Sequence, residues 1–179
     1  LTALQAQISP HFLYNTLENI RWKVIELCRG DNEASQMILK LSELLRISLD
    51  DADQIISIEQ EVRNTRLYVD ILQLRYESKL EVQWNIPEEV QKCAIVKVSL
   101  QPLIENAVYH GIKPKREKGI IQVHAEKDSE KLKVMIQDDG IGMDPEECRI
   151  LNEDLRNNFQ FKKGHIGVRN VNQRLKLLL

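Results

Sequence analysis

Hydrophobic residues recur at every third or fourth position in the first part of the chain, with polar residues between them. The first such stripe consists of Leu13, Leu17, Ile20, Val24 and Leu27. This spacing predicts an amphipathic helix with the seam of a coiled coil or a helical bundle. Gly30-Asp31-Asn32 breaks the pattern, and a second helical stripe follows, made of Met37, Leu41, Leu44, Leu45 and Leu49.

A third helix is predicted to begin near Ser57. Residues 50–53 are polar and predict a loop before it, and Ser57-Ile58-Glu59-Gln60 has the form of a capping box. No glycine or proline occurs between Glu33 and Asn85, which suits long helices because both residues destabilise a helix interior. The apolar positions of this third helix are Val62, Leu67, Val69 and Leu72.

From Lys79 onward the hydrophobic period changes to two, which predicts half-buried strands. The alternating apolar positions are Leu80, Val82, Trp84 and Ile86, then Ile121, Val123 and Ala125, and finally Leu132, Val134 and Ile136. Residues 128–130 predict a hairpin turn between the last two strands. A helix is predicted over Ser99–His110, with Gly111 as its stop. Asp144-Pro145 predicts the start of a short helix, residues 157–164 a loop, and residues 167–179 a last helix.

The change of period divides the chain into two parts. We expect an α+β protein, with a helical hairpin or bundle over residues 1–76 and an α/β sandwich of mostly antiparallel strands over residues 77–179. The chain begins at Leu1 inside a helical pattern, so we expect it to be a piece of a longer protein.

Composition narrows the function classes. The 179 residues are 42% apolar and 29% charged, which excludes a disordered tail. The 25 basic and 27 acidic residues nearly balance, which argues against a dedicated nucleic-acid binder. No segment approaches the ~20 apolar residues of a transmembrane helix. The three cysteines show no C-x-x-C spacing, so we expect free thiols in a reducing compartment and no zinc site.

Asp138 is a candidate binding residue. It has the same strand parity as Leu132, Val134 and Ile136, so we expect its carboxylate at the end of an apolar face, where burial is costly without a partner. Asp138-Asp139-Gly140-Ile141-Gly142 follows the strand, and its glycines would let the backbone approach a flat ligand closely. An exocyclic amine is a donor that would satisfy the carboxylate. The alternative is an ordinary strand end, where Asp-Gly turns are common.

Three further segments carry candidate chemistry. Asn106 and His110 share one face of the predicted helix, where an amide oxygen suits Mg²⁺ and a histidine suits phosphate, although a plain polar face would look the same. Residues 162–167 form a basic, glycine-containing loop before a helix, a weak anion-binding signal. His11 lies about 200° away from the Leu13 stripe and should project away from the seam, either as a functional residue or as an ordinary surface histidine.

Taken together, these segments resemble the motifs of sensor histidine kinases of the YesM/LytS type, in order and spacing, over nearly the whole chain. The phosphoacceptor box is matched by Ser9-Pro10-His11-Phe12-Leu13-Tyr14-Asn15. The N box is matched by Leu100-Gln101-Pro102-Leu103-Ile104-Glu105-Asn106-Ala107 with His110-Gly111. The two glycine boxes are matched by Asp138-Asp139-Gly140-Ile141-Gly142-Met143 and by Gly164-His165-Ile166-Gly167-Val168-Arg169-Asn170-Val171.

The resemblance implies a dimerisation and phosphotransfer region over residues 1–76 and a GHKL-type ATP-binding domain over residues 77–179. It implies transfer of the γ-phosphoryl group of ATP to His11, and from there to an aspartate of a response regulator. Asn106 would hold Mg²⁺, His110 would contact phosphate, and Asp138 would receive the adenine amine. Glu105 is a possible proton acceptor by position only. The glycines that would shape the pocket and its lid are Gly140, Gly142, Gly164 and Gly167.

The resemblance also implies a homodimer, no nucleic-acid partner, and a parent protein anchored in the cytoplasmic membrane with this portion in the cytosol. The chain departs from the family pattern at Phe12, where many members have an acidic residue, at Tyr109, where many have lysine, and at His165, where many have glycine. It ends soon after the second glycine box, whereas the family's domain continues with further strands. We therefore expect an incomplete domain.

Two other functions are compatible with parts of this pattern. One is a related ATPase that drives a clamp, as in gyrase or mismatch-repair proteins, but such proteins need no histidine box on a helical bundle. The other is a pseudokinase that binds a partner without transferring phosphate. The presence of Asn106 and Asp138 argues against it, whereas His165 and Tyr109 leave room for it.

Overall fold

The structure, a computed structural model, describes residues 10–49, 54–76, 79–157 and 165–178. It begins with a helical hairpin of α1 (Pro10–Cys28) and α2 (Glu33–Leu49). Asn32 caps α2, because its Oδ1 accepts a hydrogen bond from the backbone N–H of Ser35 at 3.1 Å. The helix break predicted at residues 30–32 is therefore confirmed. The predicted loop at residues 50–53 lies outside the described residues.

A short strand, β1 (Ile55–Ser57), leads into α3 (Ile58–Tyr76). The predicted capping box is present in both directions: Gln60 N donates to Ser57 Oγ, and Ser57 N donates to Gln60 Oε1, each at 3.2 Å. A Lys40–Asp70 ion pair at 2.5 Å links α2 to α3. The sequence pattern did not predict β1, which has only three residues and therefore little room for a period.

The main sheet has three strands: β2 (Leu80–Asn85), β4 (Gly119–Asp128) and β5 (Lys131–Asp138). Their order is β2–β4–β5; β2 is parallel to β4, and β4 is antiparallel to β5. The predicted hairpin turn is confirmed at residues 129–130, where Ser129 adopts a positive φ of 56°. Separately, β1 pairs antiparallel with β3 (Ala94–Val96), so the start of α3 lies beside this two-stranded ribbon.

One face of the sheet is covered by α3 and by α4 (Leu100–Asn106), which continues as a π-helix over Ala107–Ile112. Together they form an α/β sandwich, as the mixed pattern predicted. The core cluster between the layers contains Val69, Leu72, Leu80, Ile104, Val108, Ile112, Ile121 and Val123. The predicted domain boundary lies after residue 76, at the end of α3. The buried side of α3 packs against the sheet, which belongs to the second predicted part of the chain.

The prediction that the helix stops at Gly111 is wrong. The helix continues through Gly111 to Ile112, whose side chain is 5% exposed in the core cluster. Burial of this isoleucine favours continued winding, and a glycine ends a helix only where the chain turns to a left-handed conformation. The π-helical turn also changes the side-chain spacing behind Asn106, a feature that is frequent at functional sites.

Two helices follow the sheet. Asp144 caps α5 (Pro145–Asn157), since its Oδ1 accepts the N–H of Glu146 at 2.9 Å, which confirms the predicted helix start. The last helix, α6 (Ile166–Leu178), follows the residues 158–164, which lie outside the described ranges. None of the helices in the described part of the chain is long and apolar enough to span a membrane.

Candidate functional site

A cavity of about 360 Å³ opens between α4, its π-helical extension and the start of α6. This volume lies within the range of small-molecule sites. The cavity brings together Asn106, His110, Gly167 and Glu105, four of the residues predicted to form a site. The full lining is Pro102, Glu105, Asn106, Tyr109, His110, His165, Ile166 and Gly167.

His165 occupies the centre of this arrangement. Its Nδ1 lies 3.0 Å from Asn106 Oδ1, and its Nε2 lies 3.1 Å from Glu147 Oε1 on α5. The ring centroid is 5.1 Å from that of His110, and the side chain is 9% exposed. The backbone is left-handed, with φ of 51°, a conformation that is uncommon outside glycine. In the sequence, His165 belongs to the basic loop of residues 162–167 and departs from a glycine pattern, and no local signal pointed to its contact with Asn106.

Asp138 lies at the end of β5, but the prediction that its carboxylate is buried is wrong. Its side chain is exposed, because the strand ends there and the chain leaves the sheet. The strand parity was correct, since Leu132, Val134 and Ile136 are half-buried along one face. The carboxylate accepts a hydrogen bond from the N–H of Gly140 at 3.0 Å. Because it is exposed and already has this partner, its assignment to the site depends on its place in the fold and not on a free-energy cost of burial.

Glycines allow the chain to pack closely around this carboxylate. A Cβ on Gly111 would meet the Asp138 carboxylate as its three nearest atoms, and a Cβ on Gly140 would fall within 3.0 Å of the Gly111 backbone. Gly142 adopts a φ of 75°, which favours glycine for conformational reasons. The N box and the first glycine box are therefore in direct contact.

A second carboxylate holds the loop after β5 in place. Asp139 Oδ1 accepts the backbone N–H of Ile120 at 2.8 Å, and Lys115 Nζ lies 2.9 Å from Asp139 Oδ2. The hydrogen bond from Ile120, followed by the Lys115 contact, lowers the pKa of Asp139. No separate role for Asp139 was predicted from the sequence, because its partners come from another strand and from the loop before that strand.

The remaining predicted residues fall in different places. Gly167 packs on Pro102, where an added Cβ would lie 3.2 Å from the proline Cβ. Gly164 lies outside the described residues. His11 is exposed on the first turn of α1, where Asn15 Nδ2 lies 3.3 Å from its Nδ1. It is not part of the cavity lining.

Comparison with known families finds two matches along the chain. The family described as histidine kinase matches residues 1–80, and the family described as histidine kinase-, DNA gyrase B- and HSP90-like ATPase matches residues 95–178. The sensor histidine kinase YesM of Bacillus subtilis is 39% identical over 144 residues, which is 80% of this chain and 25% of YesM. The sensor histidine kinase YpdA of Escherichia coli is 38% identical over 99% of this chain and 30% of YpdA. Over nearly its whole length, the chain is similar to sensor histidine kinases.

The chain spans about a quarter to a third of the length of the first relatives it matches. Its fold is also similar to that of a solved structure, the histidine kinase domain of the blue-light activated histidine kinase of Erythrobacter litoralis. That comparison has a TM-score of 0.51 and 17% identity, and it covers 93% of this chain and 83% of the other. At this identity the match concerns the fold alone.

Proposed function

We propose that this chain is the catalytic portion of a two-component sensor histidine kinase. In this proposal His11 is phosphorylated by ATP, and the phosphoryl group then passes to an aspartate of a response regulator. The observation that carries the proposal is the presence, in one chain, of an exposed histidine on α1 and of a cavity lined by Asn106, His110 and Gly167. The matches to the two families support the same interpretation.

ATP is the proposed ligand of the cavity and of the adjoining loop after β5. The Asp138 carboxylate would accept a hydrogen bond from the exocyclic amine of adenine. Gly111 and Gly140 pack closely around this carboxylate, and the residue is nevertheless exposed. Asn106 supplies an amide oxygen, which is a suitable ligand for Mg²⁺ beside phosphates. This oxygen faces His165 Nδ1 at 3.0 Å, so a cation held by Asn106 competes with the histidine ring.

The chemistry requires little more than positioning. A neutral imidazole carries a lone pair on one ring nitrogen, and histidine is commonly neutral near pH 7. This lone pair on His11 forms the bond to the γ-phosphorus, and the bond from phosphorus to the bridging oxygen breaks, so that ADP leaves with the electron pair. Glu105, exposed at the cavity, is a candidate to take the remaining ring proton. In the second step an aspartate carboxylate attacks phosphorus, and the phosphorus–nitrogen bond breaks.

The proposal includes a homodimer formed through the helical hairpin. After α1 has packed on α2, Ile20 remains 45% exposed and Leu27 remains 80% exposed on the predicted seam. Two hairpins that share these stripes would form a four-helix bundle. A membrane anchor elsewhere in the parent protein, with this portion in the cytosol, stays a prediction from the family resemblance.

The test is incubation of the purified chain with γ-labelled ATP and Mg²⁺. The wild type is expected to retain a phosphoryl group that is labile in acid and stable in base, as expected for phosphohistidine. His11→Gln should abolish this label and leave ATP affinity, measured by calorimetry, unchanged. His124→Gln is the matched control, because His124 lies on β4 beside Glu126, and it should retain the label.

Three outcomes would contradict the proposal in different ways. Label retained in His11→Gln would show that another residue is the acceptor. ATP binding without any label in the wild type would favour an ATP-binding interaction module. Release of inorganic phosphate without a labelled protein would favour a GHKL-type ATPase.

A further inference from the structure

The turn between β3 and α4, residues 97–100, is held by charged side chains from two other helices. The carboxylate of Glu61, on α3, accepts the backbone N–H groups of Val98, Ser99 and Leu100 at 2.8, 2.7 and 2.9 Å. These groups include the unpaired donors at the start of α4. The capping group of α4 therefore comes from a residue nearly forty positions earlier in the chain.

Arg174, on α6, holds the carbonyl groups of the same turn. Its guanidinium donates to the carbonyl oxygen of Lys97 at 2.5 Å and to that of Val98 at 3.3 Å. Glu61 thus binds the donors of the turn and Arg174 its acceptors. The turn consequently joins three helices: α3, α4 and α6.

The start of α4 is capped by a distant side chain instead of by a neighbouring residue. A local serine usually caps a helix through its hydroxyl, but the hydroxyl of Ser99 donates to Val96 O at 2.6 Å instead. Val98 adopts a φ of 57°, which is a strained conformation for a β-branched residue. Glu61 is 1% exposed, and this burial raises its pKa, while the three N–H groups and the charge of Arg174 act in the opposite direction.

The 97–100 turn lies at the start of α4, and the cavity is lined by residues further along the helix, from Pro102 to His110. Going along α6 from its start, His165 contacts Asn106, Gly167 packs on Pro102, and Arg174 reaches the carbonyls that precede α4. α6 is therefore antiparallel to α4, and the two segments meet at these three places. A change at Arg174 would allow α6 to slide or tilt, which would move His165 and Gly167 relative to Asn106.

We propose that Glu61 and Arg174 are positioning residues for the nucleotide site: by clamping the 97–100 turn, they hold α6 in register with α4. Neither residue lines the cavity, so each acts through the helices that do. This inference rests on the proposed function, because it assumes that the cavity binds ATP. It also implies that α3 is connected to the nucleotide site through the same clamp. The strand β1 leads directly into α3.

The test compares Arg174→Met with a control variant that removes buried volume elsewhere. Val69→Ala is the control, because Val69 is 3% exposed on α3 and belongs to a different core cluster from Leu100 of the turn. For each variant we would measure thermal unfolding, the Kd for ATP with Mg²⁺ at a temperature well below unfolding, and the kinetics of autophosphorylation. Arg174→Met should raise Kd and KM about tenfold, because displacement of the start of α6 would weaken polar contacts to the charged nucleotide, and one such contact is worth about that much. The kcat at saturating ATP should change much less, and Val69→Ala should keep the wild-type Kd.

Two further variants separate positioning from general stability. Arg174→Lys keeps a charged donor for the carbonyls and should recover part of the affinity. Glu61→Gln keeps the shape of the side chain and should weaken ATP binding as well, and its effect should not add to that of Arg174→Met, because both act on one turn.

An unchanged Kd for ATP in a folded Arg174→Met protein would overturn the inference and leave the proposed function standing. An equal loss of ATP affinity in Val69→Ala and Arg174→Met would do the same. If Arg174→Met does not fold, wild-type affinity in a folded Glu61→Gln would overturn the inference, and weakened affinity there with recovery in Arg174→Lys would support it. A wild-type chain that binds no ATP would overturn the proposed function itself.

Discussion

Replacement of Gly111 by alanine is expected to weaken ATP binding without loss of fold stability. Gly111 lies in the π-helical extension of α4, directly against the Asp138 carboxylate. The residue is helical and not left-handed, so alanine fits its backbone conformation. The substitution therefore tests the position of Asp138, whose carboxylate supplies the three atoms nearest to the added Cβ.

The size of the effect follows from the contact distances. An alanine Cβ would lie 3.1 Å from Asp138 Cγ and closer than 3.0 Å to its Oδ1. Because the carboxylate ends an exposed side chain, it can rotate away, and the backbone need not move. Ordinary contact requires a shift on the order of 1 Å, and a displacement of that size can reduce a well-oriented interaction by up to about 10²-fold. Stability should stay level or rise, since alanine is favoured over glycine in helices by roughly 0.5–1 kcal/mol.

The assay is calorimetric titration with ATP and Mg²⁺, together with thermal unfolding, for the wild type, Gly111→Ala, Asp138→Ala and the double variant. If Gly111 acts through Asp138, the double variant should bind ATP no more weakly than Asp138→Ala, because the displaced group is already absent. A wild-type Kd for Gly111→Ala would refute the reasoning. So would an additional full loss in the double variant, which would point to a clash with the nucleotide itself.

Three other variants test separate features of the structure. Asp138→Asn should raise the Kd for ATP by roughly tenfold or more, since a charge-assisted hydrogen bond is lost. Parallel titration of the wild type should show weaker binding of GTP than of ATP. Equal affinity for both nucleotides would contradict the role of Asp138. His165→Gly removes the ring that faces Asn106 Oδ1, so ATP binding should reach half-saturation at a lower Mg²⁺ concentration, and an unaltered Mg²⁺ dependence in calorimetry would argue against competition for that oxygen. Leu17→Asp places a charge on the α1 seam and should convert a dimer into a monomer in light scattering, whereas an unchanged mass would indicate that this seam is not the interface.

Signals within a few residues predicted most of the secondary structure. The capping box at Ser57 and Gln60 and the cap at Asp144 depend on neighbours two or three positions away, and both are present in the structure. The alternation of Leu132, Val134 and Ile136 likewise predicted which side of β5 packs inward. Such signals are readable because helix capping and strand pleating involve only the local backbone.

Contacts between distant segments could not be predicted in this way. The helix continues past Gly111 because Ile112 is buried in the core, and Asp138 is exposed because its strand ends at the sheet's edge. The contact of His165 with Asn106 and the capping of α4 by Glu61 join residues that are tens of positions apart. No periodicity relates these pairs, since their meeting depends on how α3, α4 and α6 pack together.

The chain alone therefore specified the order of helices and strands, the caps, and the motifs that identify the family, because each is encoded over a short stretch. Packing decided which side chains are buried, where α4 ends and which group faces Asn106 in the cavity. These features arise from the burial of apolar surface between layers, which is a property of the whole fold and not of any one segment.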